Sequence, residues 1–456
     1  TAGTIANRTE GVSAFPVDRD GNQLDTAPGL LFQARLGALM HEGTNPRRAR
    51  WQGEFEFDLR SSPTSASVDG TGLPYEKDSA FELRRAYGRL SISPALHLSA
   101  GAMTNHWGLG LVANDGAHGW TPQSGRFADP VSGDRVGRAS AMFGPYSNAG
   151  GLVVVAAGDY VLGDDVLLGD RAVQAVGALQ LGFGRPVGCG IYVARRHQWT
   201  DEDYQLDAWV VDVALRAELT PRDDLTVTLE AEGVAVVGET TIAPSLDFAT
   251  HELLQLGAAV RVTVAGKRLG GVLDLLFASG DQNLYDATQH AFRPAPNFDF
   301  GLLLYRMVLS GQSGRGAGTA GDPALVGYPS PGVERIPTRG SATNTLAFFP
   351  RAVYRPGKHT ALYGGPLIAI APANVVDPFA SRIQGSTNQN ALGGMASTTL
   401  GVEVDVGIRH QLAVSGVRLA LGFEAGAFFP GDAFAAAHGE AMAPVWGGRF
   451  LLQASR

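Results

Sequence analysis

The chain of 456 residues carries 60 glycines, only 18% charged residues and 45% hydrophobic ones, with a mean hydropathy of +0.01. That is too apolar for a disordered chain, and the glycines lack the three-residue period of collagen. A net charge of −8, with 33 of the 36 basic residues arginine, disfavours a nucleic-acid partner, and the lone Cys189 allows neither an internal disulfide nor a cysteine-rich zinc site.

No helix is predicted to span a membrane. Of the two uncharged runs of about 20 residues, 139–158 is cut by Gly144-Pro145-Tyr146-Ser147-Asn148, and 383–402 is full of Ser, Thr, Asn and Gln. An opening of Thr1-Ala2-Gly3-Thr4 without Met is compatible with a processed, exported chain.

Alternation with period two predicts strands along the whole chain. In chain order they fall near 7–17, 29–40, 50–60, 81–92, 96–107, 135–143, 151–162, 171–183, 187–199, 204–219, 225–237, 252–264, 269–279, 343–354, 360–371, 399–409, 414–428 and 446–454. Trp51, Gly53, Phe55, Phe57 and Leu59 oppose Gln52, Glu54, Glu56, Asp58 and Arg60; Val402, Val404, Val406 and Ile408 oppose Glu403, Asp405 and Arg409. A soluble sandwich would turn the oily face inward, and a membrane barrel would invert it. Alternation alone does not choose.

The connections do choose. Tight links such as Ser93-Pro94-Ala95, Gly184-Arg185-Pro186, Ala265-Gly266-Lys267-Arg268 and Arg355-Pro356-Gly357-Lys358-His359 alternate with long ones near 61–79, 108–133, 238–250, 281–342, 372–397 and 429–445. Short turns at one edge and long loops at the other predict an all-β fold: a transmembrane antiparallel β-barrel of about 18 strands, with periplasmic turns and extracellular loops, as a single domain over 1–456 in the bacterial outer membrane. The soluble alternative would need pairing for Glu54, Glu56, Asp58 and Arg60 in a dry core.

The apolar stretch 298–309 breaks the parity if counted as a strand, because 310–342 offers it no partner. The connection 281–342 is therefore expected to fold into or over the mouth as a plug or gate, led by Phe298, Phe300, Leu303, Tyr305 and Arg306; a loop packed on the outer rim is the alternative.

Arg85-Ala86-Tyr87-Gly88, His106-Trp107-Gly108-Leu109-Gly110 with Asn114, and Gly133-Asp134-Arg135-Val136 resemble a largely uncharacterised family of outer-membrane barrels from myxobacteria and their relatives. Phe277-Ala278-Ser279-Gly280-Asp281 is similar to a strand end of alginate-export barrels, eighteen-stranded channels for an acidic polysaccharide. These resemblances imply a barrel, and the second an export channel. Many outer-membrane barrels finish on an aromatic residue; here Phe450 is the nearest to Arg456.

A barrel of this size encloses water, so lumen side chains set selectivity. The candidates are Glu54, Glu56, Asp58, Arg60, Asp212, Arg216, Glu218, Glu230, Glu232, Arg261, Arg351, Glu403, Asp405, Arg409, Arg418 and Glu424. Arginine forks there would orient carboxylated or hydroxylated solutes; alternatively, facing strands neutralise one another in ladders. Arg84 and Arg85 are adjacent, so one is expected to face outward near a membrane interface. His106, Trp107, His118 and Trp120 at the loop mouth read as a metal or sugar-stacking site, or as aromatic-belt residues beside a Gly-rich reversal. Asp18-Arg19-Asp20-Gly21-Asn22 and Asp281, Asn283 and Asp286 offer oxygens at calcium-like spacing, although Gln23 replaces the sixth-position glycine, which favours a plain acidic turn and no cofactor.

Catalytic signatures are scarce. Gly311-Gln312-Ser313-Gly314-Arg315 misses the last glycine of a nucleophile elbow, and Gly316, Gly318 and Gly321 match a dinucleotide loop without its strand and helix. The expected function is a passive or gated channel, not an enzyme. Its partners would be outer-membrane lipid, lipopolysaccharide, and a small hydrophilic or carboxylated solute or a polysaccharide. A plugged surface or adhesion scaffold and a membrane-embedded hydrolase are the alternatives.

Overall fold

The structure, a computed structural model, describes residues 2–7, 29–30, 33–43, 50–60 and 81–455, except 117, 119–120, 122, 129–132, 165–169, 243, 245–246, 284–285, 314–337, 339, 386 and 415. Strand segments follow one another as β1 (Ala2–Asn7), β2 (Gly29–Leu30), β3 (Gln33–His41), β4 (Trp51–Arg60), β5 (Phe81–Ser93), β6 (Leu96–Thr104), β7 (Arg135–Tyr146), β8 (Leu152–Gly163), β9 (Arg171–Leu181) and β10 (Val187–Trp199). Then come β11 (Gln205–Arg222), β12 (Leu225–Thr240), β13 (His251–Gly266), β14 (Leu269–Ala278), β15 (Thr288–Gln289), β16 (Thr345–Tyr354), β17 (Thr360–Ile370), β18 (Thr399–Val414), β19 (Val417–Pro430) and β20 (Val445–Ser455).

Taking β2 and β3 as one crossing and setting aside the two-residue β15 leaves eighteen strands, each antiparallel to its neighbours. β14 pairs with β16, and β20 pairs back onto β1 from Ala2↔Phe450 to Asn7↔Val445. β1 also meets β2 at Ala2↔Leu30 and Gly3↔Gly29, which gives the sheet its barrel-like form. The first strand, expected at 7–17, is instead β1; positions 8–17 lie outside the described residues.

The oily face points outward. Trp51, Phe55, Trp209, Val213, Leu254, Leu256, Leu346, Phe348, Val402, Val404 and Ile408 are exposed, and Val406 keeps 54% of its surface accessible. Asp58, Asp212, Glu403, Asp405 and Glu424, on the opposite face, have none. This inversion is what a bilayer requires of a barrel. Among the described residues no helix is long and apolar enough to cross a membrane.

The links at one edge are tight, but alternation of short and long is not strict at the other. β8 to β9 spans only 164–170 and β10 to β11 only 200–204, the latter closed by the Thr200 hydroxyl, which accepts from the N–H groups of Glu202 and Tyr204, both at 3.1 Å.

The expectation for Arg84 and Arg85 is corrected. The β4–β5 register runs Glu56↔Arg85 and then Phe57↔Leu83, leaving Arg84 as the extra residue of a β-bulge. A bulge re-aims a side chain, and here it turns both arginines inward. Arg84 Nε lies 2.7 Å from Glu56 and Arg85 Nη1 2.8 Å from Glu54. Neither guanidinium meets hydrocarbon.

If the oily face contacts lipid, Val406→Arg at mid-strand should destabilise the barrel by about 2–4 kcal/mol. Urea unfolding of protein inserted in lipid vesicles measures this, and an unchanged midpoint would place Val406 outside the hydrocarbon belt.

Candidate functional site: the lumen and its two inserted loops

Most lumen charges are answered across the strand register. Asp58 takes Arg35 at 2.7 and 2.9 Å, and Asp159 takes Arg138 at 2.7 Å through both oxygens. Asp274 lies between Arg261, at 2.6 Å, and Arg351. Glu424 collects Arg409 at 2.5 Å, Arg449 at 2.7 Å and the Tyr363 hydroxyl. Arg35↔Asp58, Arg138↔Asp159, Arg261↔Asp274 and Glu424↔Arg449 are directly opposed pairs. Arg35, Arg138, Asp159, Asp274 and Arg449 were not among the sequence candidates. A lone charge between apolar neighbours, as in Leu273-Asp274-Leu275, is the signal that would have found them.

Glu232 and Glu403 are treated differently. The connection from β6 to β7 folds inward, and the backbone N–H groups of Leu109, Gly110 and Leu111 all donate to the Glu232 carboxylate, the last two at 2.9 and 3.0 Å. Gly110, at φ +89°, supplies the left-handed turn this needs. Asn114 fastens the same loop by donating from Nδ2 to the Gly110 carbonyl, while its backbone N–H donates to Asp134 at 2.9 Å. The loop then crosses the lumen: Arg449 donates to the Phe127 carbonyl, Phe127 packs on Tyr363 with centroids 4.9 Å apart, and Gln123 Nε2 donates to the Lys358 carbonyl in the tight β16–β17 link.

The connection from β14 to β16 repeats the device. Leu302, Leu303 and Leu304 donate their backbone N–H groups to Glu403 at 2.6, 2.9 and 2.7 Å. Glu403 sits between outward-facing Val402 and Val404, so the stretch bound to it lies inside the barrel wall. Phe298–Leu303 is irregular, and Leu304–Leu309 forms a π-helical turn with Leu304, Tyr305, Val308 and Leu309 buried. Phe300 packs on Phe349, the Tyr305 hydroxyl bonds Thr345 Oγ1 at 2.6 Å, and Arg306 pairs with Asp299. Gly301, at φ +81°, is pressed so close that a Cβ would collide with Leu367 and crowd Glu403.

Beside each acceptor stands a second buried carboxyl group, Asp212 next to Glu232 and Asp405 next to Glu403. A cavity of about 200 Å³ opens between β7–β13 and the two loops, lined by Arg135, Gln174, Tyr192, Arg196, Gln198 and Arg293 among others. The half-buried Arg126 of the first loop stands near Arg261, Arg351, Asp274 and Glu230, with no direct ion pair among the described residues.

Several expected residues fall elsewhere. Trp107 is not a belt residue: it lies inside, its ring 5.7 Å from Tyr192 and pressed on Gly190, whose missing side chain leaves it room. Trp120, Asp18 to Asn22 and the side chain of Arg60 lie outside the described residues. Arg216, Glu218 and Arg418 are exposed at the tight-turn end. Asp281 accepts backbone N–H groups of Asn283 and His290, both at 2.9 Å, and Asp286 that of Thr288, so these carboxylates cap turns. Ser313 bonds Thr338 Oγ1 at 3.0 Å and the Ser310 carbonyl.

No family model matches the chain, and no curated protein does. Among solved structures it is similar to OccK8 (OprE) of Pseudomonas aeruginosa, at 8% identity and TM-score 0.50, over 100% of this chain and 95% of that one. OccK2 (OpdF) of the same organism in complex with glucuronate gives 11% and 0.48 over 94% and 93%; its OpdK with vanillate gives 11% and 0.49 over 94% of each. The fold is that of an outer-membrane β-barrel of porin type.

Because three amides converge on each carboxylate, Glu403→Ala should abolish hydrogen-exchange protection at Leu302–Leu304 and leave Leu109–Leu111 unchanged, with Glu232→Ala doing the reverse. Each buried donor left unpaired costs about 1–3 kcal/mol, enough to speed local opening by an order of magnitude or more. Equal protection in wild type and variant would mean that packing alone holds the loops.

Proposed function

We propose that the chain is a diffusion channel for small hydrophilic solutes bearing carboxylates, with the path narrowed by the two inserted loops. The observation that carries this reading is the cluster of Arg126, Arg261 and Arg351 about the buried Asp274, with Glu230 and Asp405 at its edge and Arg126 contributed by the loop that spans the lumen. Asp274 is already taken by Arg261 and Arg351, which leaves the Arg126 guanidinium to meet a solute, and planar forks bind carboxylates in two-point contact. Small solutes are favoured over a polysaccharide because both loops occupy the lumen. No step needs an enzyme.

Some of the residues that resemble the myxobacterial family hold the first loop: Arg85 bonds Thr104 Oγ1, where β6 ends, and Asn114 and Asp134 clamp the loop ends. We propose on that ground that the resemblance reflects a shared inserted loop.

Purified protein in planar bilayers should give ohmic steps with anion preference, and Arg126→Glu should move the reversal potential toward cation selectivity. Removing Phe298–Leu309 should raise the unitary conductance severalfold. Silence of the wild type together with conduction by the deletion would instead favour a plugged scaffold.

A further inference from the structure

We propose that His106, Asp115 and His118 form a binding site for one divalent transition-metal ion, of the borderline class that includes zinc, at the mouth of the lumen. The three side chains place one ligand atom each within 4.8 Å of the others, the only such group among the described residues. Asp115 Oδ1 lies 3.9 Å from His106 Nδ1 and Asp115 Oδ2 lies 3.7 Å from His118 Nδ1. The imidazole rings stack at 3.9 Å and 11°, so both nitrogens approach the carboxylate from one side.

The tautomer of His106 follows from its other nitrogen. Nε2 lies 3.2 Å from the Gly108 carbonyl, which can only accept, so Nε2 carries the hydrogen. Nδ1 then presents a lone pair, and that atom is buried with no hydrogen-bond partner. A backbone carbonyl orienting the far nitrogen is the usual support of a metal-bound imidazole.

Bonds of 2.0–2.2 Å in a tetrahedral site set ligand atoms about 3.4 Å apart. The ligand atoms, within 4.8 Å of one another, therefore need to draw together, and His118, 62% exposed, is able to move. Gly116, at φ +78°, reverses the chain between Asp115 and His118. Neither neighbouring arginine claims the Asp115 carboxylate at close range: Arg84 donates to the Asp115 backbone carbonyl at 2.7 Å and pairs with Glu56, and Arg85, 4.0 Å from Asp115 Oδ2, is bonded to Glu54. Two imidazoles and a carboxylate suit zinc, cobalt or nickel better than calcium, and leave a fourth position facing the mouth. Bound metal would tie the end of β6 to the returning arm of the loop.

The test uses untagged, detergent-solubilised protein titrated with Zn²⁺ by calorimetry and with Co²⁺ by absorption. One ion per chain and the ligand-field bands of four-coordinate cobalt are expected. His118→Ala, on an exposed ring that the fold does not need, and Asp115→Asn should each weaken binding by about tenfold or more. His438→Ala, exposed elsewhere, should change nothing. Absent binding, or equal affinity in wild type and His118→Ala, overturns the site. If Asp115→Asn misfolds, His118→Ala decides.

Discussion

Hydrocarbon offers no partner to a backbone N–H or C=O, so every residue that crosses it must be answered by a neighbouring strand. That requirement fixes the ladder, and the ladder fixes which side chains point where. A slip of one residue would exchange the two faces of a strand and set Glu403 and Asp405 in lipid in place of Val404 and Val406. The bulge at Arg84 is a local exception with the same end: a pair of consecutive arginines would otherwise send one guanidinium outward, and one unpaired position brings both to Glu54 and Glu56.

Inside, charge is neutralised in two ways. Where arginine and carboxylate oppose each other in register, the wall solves the problem alone, as at Arg261 and Asp274. Glu232 and Glu403 take backbone amides instead. Three successive N–H groups around a carboxylate form a nest, with the partial positive charge of a helix N-terminus but without the helix. The loops need this as much as the acids do. Leu109 to Leu111 and Leu302 to Leu304 carry apolar side chains into a buried place, where their amides would otherwise have no acceptor. Each partner removes the other's defect, which is why irregular backbone can lie at this depth at all.

How much of this was legible in the sequence depends on how local each relation is. Period-two patterning and the positions of the turns showed eighteen strands, their oily and charged faces, and the odd status of 298–309. The acid–amide contacts bring together residues 99 to 123 positions apart, and no local pattern marks them. Register was equally hidden, so the bulge at Arg84 and the partners of Asp274 could not be read. Trp107 was misplaced for a related reason: an aromatic at a strand end commonly marks the lipid interface, and only the fold shows that its neighbour across the wall is a glycine, Gly190, with room for an indole on the inner side. His106 and His118 were seen, but Asp115, which lies between them in both sequence and space, was not.

The two loops do not fill the lumen evenly. The second packs toward β16–β19, with Phe300 on Phe349, Gly301 against Leu367 and the Tyr305 hydroxyl on Thr345, while Phe298 lies under Arg261 of β13. The cavity lies on the other side, along β7–β13, where the wall offers Gln174, Arg196 and Gln198. On the proposed channel reading, a hydrated solute is stable only where polar groups replace the water it loses, which favours that half. The first loop runs between the two halves, with Phe127 packed on Phe349 and Tyr363 and Arg126, the preceding residue, near Arg261 and Arg351. A single backbone step thus separates the residue that seals from the residue that meets charge. Any motion of this loop about its anchor at Glu232 would change both together, coupling the width of the path to its charge.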